Sequence, residues 1–135
     1  MNRDAGDPLE SFFGPLEIRV LDALWRRERS ASVGDLASEF APTAYTTLMT
    51  TLERLRRKGV LVRAREGRAF LYEPRWSRAE LTERLASRTL GAWLEHPTAA
   101  QPILSSFIDA VSSRDERLLD ELDRLIRQKR RELSR

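Results

Sequence analysis

The sequence contains no cysteine, a single histidine and no long apolar run. Without cysteine the chain can form no disulfide, thiol nucleophile or thiolate metal site, which is typical of a cytosolic protein. His96 stands beside Pro97 at a predicted helix end, so neither a Ser-His-carboxylate set nor a metal-ligand spacing can be built around it. The sequence also has no G-x-x-x-x-G-K-[ST] phosphate loop. We therefore expect a protein that is not an enzyme and uses no cofactor or metal.

Membrane insertion and secretion are not expected either. No segment approaches the roughly 20 consecutive apolar residues that a transmembrane helix needs. Met1 to Glu10 is polar and acidic, without the basic start and apolar centre of a signal peptide. The sequence therefore predicts a cytoplasmic location.

Basic residues are concentrated in one stretch of the chain. Between Glu53 and Arg68, seven residues are Lys or Arg and two are acidic, a net charge of +5, whereas the whole 135-residue chain carries +3. Such a concentration on a nearly balanced protein is typical of a binding site for a polyanion. We expect the polyanion to be double-stranded DNA, because of the elements that surround this stretch.

Those elements predict a helix-turn-helix. Gly14-Pro15 opens a helix, Ser32 begins a short second one, and Pro42 ends it. Thr43 is placed to cap a third helix that continues to Lys58, where Gly59 supplies a left-handed stop. Two helices joined by a few residues are the helix-turn-helix arrangement. In the third helix, helical spacing predicts that the core-facing residues are Leu48, Leu52 and Leu55.

A β-hairpin is predicted directly after the third helix. Its strands are Val60 to Arg65 and Arg68 to Glu73, joined at Gly67. We expect Leu61, Ala69 and Leu71 to face the core and the arginines to face away. Residues 14–75 then form an N-terminal winged helix-turn-helix, in a mainly α fold with a small β-hairpin. A flexible leader of residues 1–13 precedes it, although Phe12 and Phe13 could pack on the element that follows.

The third helix and the hairpin supply the candidate DNA-binding residues. A helix of this kind enters the major groove with its N-terminal half against the base edges, while a hairpin lies along the neighbouring backbone. Threonines can hydrogen-bond bases or contact thymine methyls, and arginines suit phosphates. The candidates are Tyr45, Thr46, Thr47, Met49, Thr50, Arg54 and Arg57 on the helix, and Arg65 and Arg68 on the hairpin.

Residues 76–135 are predicted to be a helical dimerisation region. Ser77 and Glu80 form a capping box for a helix interrupted at Gly91, and Ser113 with Glu116 begins the last helix. These amphipathic helices could pack on the first half, but a second copy of the chain is the expected partner, since two-fold dimers dominate among homo-oligomers. The candidate dimerisation residues are Leu81, Leu85, Trp93, Ile103, Leu104, Phe107, Ile108, Leu118, Leu119, Leu122, Leu125 and Ile126.

Two strings carry a family resemblance, GPLEIRVLDALW and AYTTLMTTLERLRRKGVLVRAREGRAFLYEP. They resemble the penicillinase-repressor family, the BlaI/MecI/CopY group of bacterial transcriptional repressors, and the match runs from Gly14 to about Gln128. The resemblance implies a winged helix, a helical dimerisation region and a homodimer on a palindromic operator. It also implies antibiotic-resistance genes as targets, and release by a membrane sensor-protease system that leads to a cut in the dimerisation region.

The sequence departs from this family at two places. Copper-responsive members carry a C-terminal cysteine cluster, which this chain lacks, so copper sensing is not expected. Well-known β-lactam-responsive members are cut at an Asn-Phe bond, and the nearest position here is Ser106-Phe107. The regulated genes and the inducing signal stay open.

Two other functions also stay open on the sequence alone. One is a repressor gated by a small molecule bound among Trp76, Trp93 and Phe107. The other is a winged-helix module that binds proteins and not DNA.

Overall fold

The computed structural model describes residues 6–135 and is mainly helical within that range. A short 3-10 helix at Pro8–Ser11 precedes the α-helices and the antiparallel hairpin. The elements are α1 (Pro15–Arg27), α2 (Val33–Ala37), α3 (Tyr45–Arg57), β1 (Leu61–Glu66), β2 (Ala69–Pro74), α4 (Arg78–Leu94), α5 (Ala100–Arg114) and α6 (Glu116–Leu133). The chain divides into two compact units, Met1–Leu85 and Ala86–Arg135. This division lies inside α4, about ten residues after the boundary predicted between 75 and 76.

The first unit is a winged helix. Helices α1 and α2 pack on α3, and the hairpin follows α3 directly. Ala31 adds a one-residue bridge to the hairpin, because its N–H and carbonyl both pair with the backbone of Tyr72. Leu48, Leu52 and Leu55 are fully buried in the core between these elements, as predicted.

Local signals set the ends of these helices. Pro15 begins α1, and the Glu17 carboxylate accepts a hydrogen bond from the Gly14 N–H. Ser32 and Asp35 bond reciprocally at the start of α2. The start of α3 differs from the prediction: Ala44, not Thr43, is the N-cap residue, and no side chain caps this helix.

The hairpin has a different inner face from the predicted one. Leu61 is opposite Pro74, and Arg63 is opposite Tyr72. Residues directly opposite each other share a face of the sheet, so Leu61 and Tyr72 face the core, while Leu71 points to the other side. The prediction was wrong by one residue on β2, and a shift of one residue reverses every side chain. It was also wrong that the arginines face away, because Arg63 and Arg65 follow Leu61 at a spacing of two and share its face.

Part of the predicted flexible leader packs on the winged helix. Leu9 and Phe13 belong to the buried core, and Asp7 caps the 3-10 helix by accepting from the Leu9 N–H. The prediction of a flexible leader is therefore wrong for residues 7–13; the packing of Phe13 was allowed for, but that of Leu9 was not, and Phe12 stays 42% exposed. Residues 1–5 lie outside the described residues.

The first turns of α4 also belong to the winged helix. Leu81 is only 2% exposed, and Leu85 packs against the same core. Trp25 on α1 donates a hydrogen bond from Nε1 to the carbonyl of Trp76, which holds the start of α4 against α1. Leu81 is therefore part of the winged-helix core and not of a dimer interface, whereas Leu85 is only partly buried and its assignment to the interface stays a prediction.

The second unit contains the end of α4 with α5 and α6. Helix α4 continues through Gly91 to Leu94, so the predicted interruption is absent. Asp115, not Ser113, caps α6 by accepting from the Arg117 N–H. Helices α5 and α6 pack on each other, yet neither contains a buried residue. None of the helices that the structure describes is long and apolar enough to cross a membrane.

Candidate nucleic-acid interface

The outer face of α3 presents the predicted base-reading residues to solvent. Tyr45 is 55% exposed and Met49 is 43% exposed, and the three threonines of this face are exposed as well: Thr46, Thr47 and Thr50. The Thr50 hydroxyl donates to the Thr46 carbonyl at 2.9 Å, so its proton is occupied while its oxygen lone pairs and methyl group stay accessible. This face can therefore offer hydrogen-bond acceptors and methyl groups.

The first turn of α1 lies beside this face, which the sequence analysis did not anticipate. An open groove of about 390 Å³ runs between Gly14 and Pro15 on one side and Thr46, Thr47 and Thr50 on the other. Arg54 also lines the groove. The threonines thus form one wall of a shallow channel, and Arg54 is a cation that lines the same channel.

The seven cations of the basic stretch fall into two groups. Three of them, Arg56, Lys58 and Arg63, form ion pairs with carboxylates of the winged helix itself. The other four make no ion pair within residues 6–135, and all four are exposed: Arg54, Arg57, Arg65 and Arg68. These four are the arginines predicted to contact DNA.

Glu53 is the centre of the largest polar cluster on this surface. Its Oε1 accepts hydrogen bonds from the Tyr72 hydroxyl at 2.7 Å and from Arg63 Nη1 at 2.6 Å, and its Oε2 accepts from Arg56 Nη2 at 3.0 Å. These hydrogen bonds, first of all that from Arg56, lower the pKa of the carboxyl from 4.5 to about 2 despite partial burial. The carboxylate therefore joins α3 to both strands of the hairpin.

Phe70 is a second feature of this surface that no pattern in the sequence indicated. Its ring is exposed on β2, with the Arg63 guanidinium 4.0 Å and the Arg65 guanidinium 5.7 Å from its centroid. Both distances are within the range of cation–π attraction. The ring therefore restricts Arg63, and it borders one of the unpaired arginines of the hairpin.

In the second unit, most of the predicted dimerisation residues are on the surface. Those more than 40% exposed are Trp93, Leu104, Phe107, Ile108, Leu118, Leu125 and Ile126, and those partly exposed are Ile103, Leu119 and Leu122. An apolar groove of about 390 Å³ is lined by Leu90, Trp93, Pro102, Ile103, Ser106 and Phe107. The unit therefore exposes many apolar side chains, some of them around this groove.

The aromatic residues of the predicted ligand site belong to different units. Trp76 packs against the core of the winged helix, and its ring is 4.3 Å from the Arg84 guanidinium. Trp93 and Phe107 line the apolar groove of the second unit. Neither unit by itself brings the three aromatic rings together, so this observation gives the ligand hypothesis no support.

The sequence matches known transcriptional regulators over most of its length. The profile of the penicillinase repressor family covers residues 13–128. The transcriptional regulator BlaI of Mycobacterium tuberculosis is 34% identical over 117 residues, which is 84% of this chain and 80% of that protein.

Solved structures with some similarity include an ArsR-like transcriptional regulator from Rhodococcus sp. RHA1. It is 21% identical, with a TM-score of 0.47, over 71% of this chain and 85% of that one. The transcriptional regulator BldR from Sulfolobus solfataricus is 17% identical, with a TM-score of 0.46, over 90% and 80% of the two chains. At these TM-scores the structures add nothing to the assignment, which depends on the family profile and on BlaI. The chain belongs to the penicillinase repressor family of transcriptional regulators.

Proposed function

We propose that this protein is a cytoplasmic transcriptional repressor that binds a palindromic DNA operator as a homodimer. The observation that carries the proposal is that the seven cations of the basic stretch fall into two groups, with and without an ion pair. The four arginines that form no ion pair within residues 6–135 lie on α3 and at the end of the hairpin, whereas the other three cations are neutralised within the winged helix. Free cations around a polar helix face are what a DNA site requires.

In this proposal, α3 lies in the major groove. Tyr45, Thr46 and Met49 belong to its N-terminal half, which in helix-turn-helix proteins contacts base edges. Arg54 and Arg57 are one to three turns further along and contact phosphates. The first turn of α3 has no side-chain cap and no acidic residue, so its free N–H groups also suit a phosphate oxygen.

The hairpin acts as the wing, with Arg65 and Arg68 on the adjacent backbone or minor groove. Arg65 Nε donates to the Gly67 carbonyl at 3.2 Å, which keeps its guanidinium at the tip of the hairpin. Gly67 has a φ of 60°, a conformation that few residues other than glycine adopt at low cost. The turn therefore presents both arginines on the same end of the wing.

The second unit supplies the partner surface. Fully burying a leucine or isoleucine side chain is worth about 1.5–3 kcal/mol, so a surface with this many exposed apolar residues favours association. A second copy of the chain is the proposed partner, because a two-fold dimer would present two α3 helices to the two halves of a palindrome, about 34–36 Å apart or a multiple of that spacing.

Fluorescence anisotropy with labelled fragments of the protein's own promoter region tests this proposal. Nanomolar binding that weakens steeply between 50 and 200 mM salt is expected, together with a dimer in sedimentation. Leu122→Asp on α6 should give a monomer with much weaker operator binding, since the two half-sites are no longer linked. Gln128→Asp, an equal charge change at an exposed polar position of the same helix, is the matched control.

Two results would contradict the proposal. A Leu122→Asp monomer with unchanged operator affinity would show that dimerisation does not matter for binding. If the wild-type protein binds no duplex at either salt concentration, the protein-interaction module becomes the better interpretation.

A further inference from the structure

Glu53 occupies an unexpected place for an acidic residue. It follows Met49 and precedes Arg57 by one helical turn each on α3, so it lies between the proposed base-reading residues and a proposed phosphate contact. An unpaired carboxylate at this position would repel the phosphate backbone. Its two arginine partners give the cluster a net charge of +1 and remove that repulsion.

The same contacts immobilise the two arginines. Arg56 binds the carboxylate through both Nε and Nη2, and Arg63 is held between the carboxylate and the ring of Phe70. The side chains of Arg56 and Arg63 are 35% and 28% exposed, respectively. Both side chains are therefore partly exposed on α3 and β1, the proposed DNA-binding elements, yet their charges are directed at the Glu53 carboxylate.

We propose that Glu53 is a positioning residue that limits non-specific DNA affinity by holding Arg56 and Arg63 off the phosphate backbone. The inference rests on the proposed function, since it needs a protein that binds duplex DNA. Non-specific affinity depends mainly on the number of phosphates that cations neutralise, whereas specific affinity also depends on the geometry of the base contacts. Holding two of the seven cations on the protein therefore raises the ratio of specific to non-specific binding.

Tyr72 also fixes the position of the hairpin. Its hydroxyl binds Glu53, and its backbone pairs with Ala31. The hairpin is thus fixed to α3 on one side and to the segment before α2 on the other. This keeps the wing arginines, Arg65 and Arg68, at a constant distance from the base-reading face of α3.

The test measures the salt dependence of full-length protein binding to a random-sequence duplex. Each phosphate contact contributes about 0.9 to the slope of log affinity against log salt. In Glu53→Gln the slope should steepen by about one to two units. Equivalently, the ratio of affinities at 50 and 200 mM salt should grow about 3.5-fold for one released arginine and about 12-fold for two. The preference for operator over random duplex should fall at the same time.

Three further variants separate release of the arginines from other effects. Glu66→Gln removes the same charge from the hairpin without releasing an arginine, and its slope should change by less than that of Glu53→Gln. Tyr72→Phe keeps every charge of the cluster, so its slope should match wild type. Combining Glu53→Gln with Arg56→Gln and Arg63→Gln should restore the wild-type slope, because the released cations are gone.

The inference is overturned if Glu53→Gln folds, as judged by circular dichroism, and its slope equals that of wild type. It is also overturned if the triple variant keeps the steeper slope. If Glu53→Gln does not fold, Glu53→Asp takes its place in the measurement. Its shorter side chain should release at least one arginine, and the slope should then be steeper than that of wild type. Absence of duplex binding by the wild-type protein would instead refute the proposed function.

Discussion

Replacing Glu53 by Gln should lower the stability of the winged helix at neutral pH and leave it unchanged at acidic pH. The folded-state pKa of Glu53 is about 2, against 4.5 without its partners, because three side chains donate hydrogen bonds to the ionised form. A shift of one pKa unit corresponds to about 1.4 kcal/mol, so the whole shift corresponds to roughly 3 kcal/mol. The side chain is 21% exposed, and solvent screening reduces the expected effect to about 2 kcal/mol.

The sign follows from the lowered pKa. Stabilisation by the ionised carboxylate is fully present above pH 4.5, the unfolded value, and is lost as the pH falls towards 2. The difference in unfolding free energy between wild type and Glu53→Gln should therefore be largest between pH 5 and 7. It should shrink by about 1 kcal/mol per pH unit below 4.5.

Urea unfolding at a series of pH values measures this difference. Trp25 and Trp76 report on the winged helix, so both proteins carry Trp93→Phe to remove the signal of the second unit. Other carboxylates contribute equally to both proteins and cancel. In a matched control, Glu39→Gln breaks an exposed ion pair with Arg26 and should cost no more than about 0.5 kcal/mol. A Glu53 difference that is the same at pH 3 and pH 7 would refute the reasoning.

Three further outcomes are expected. Arg65→Ala and Arg68→Ala should each reduce the salt slope of duplex binding by about one unit and weaken binding to all sequences alike, which anisotropy on operator and random duplexes checks. Thr50→Val keeps the methyl group and removes the hydroxyl, so it should change the base preference in a selection from random duplexes; an unchanged preference would exclude Thr50 from base reading. If cells exposed to a β-lactam cut the repressor as its family resemblance implies, intact-mass analysis should find a fragment beginning at Phe107. Because Ser106 and Phe107 lie inside α5, that cut also needs the helix to open locally.

Local signals in the sequence were sufficient for the helices of the winged helix. The capping pair at Ser32, the glycine stop at Gly59 and the spacing of the leucines in α3 each act within a few residues, and the structure contains all three. Such features can be predicted because the contacts that cause them are close in sequence.

Features that depend on contacts between distant elements were missed. The ion pair of Glu53 with Arg63 was missed because the arginines of the hairpin were expected to face away from the core, whereas Arg63 follows Leu61 by two residues on β1 and lies on the same face. Leu81 has the same helical spacing as the apolar residues after it, and only the packing of α4 on α1 assigns it to the core. Leu9 lies before the first predicted helix, where no periodicity indicates burial.

The number of cations without an ion pair predicts how strongly operator binding by the dimer depends on salt. A count of charges gives seven cations per chain in the basic stretch, and a dimer that used all of them would have a salt slope of about −13. Among the described residues, four of these cations per chain form no ion pair, for which the slope of operator binding is about −7. Measuring operator affinity from 50 to 300 mM salt separates the two values. A slope near −13 would mean that Glu53 and Glu17 release their partners on DNA, and that the ion pairs of the free protein do not determine which cations bind.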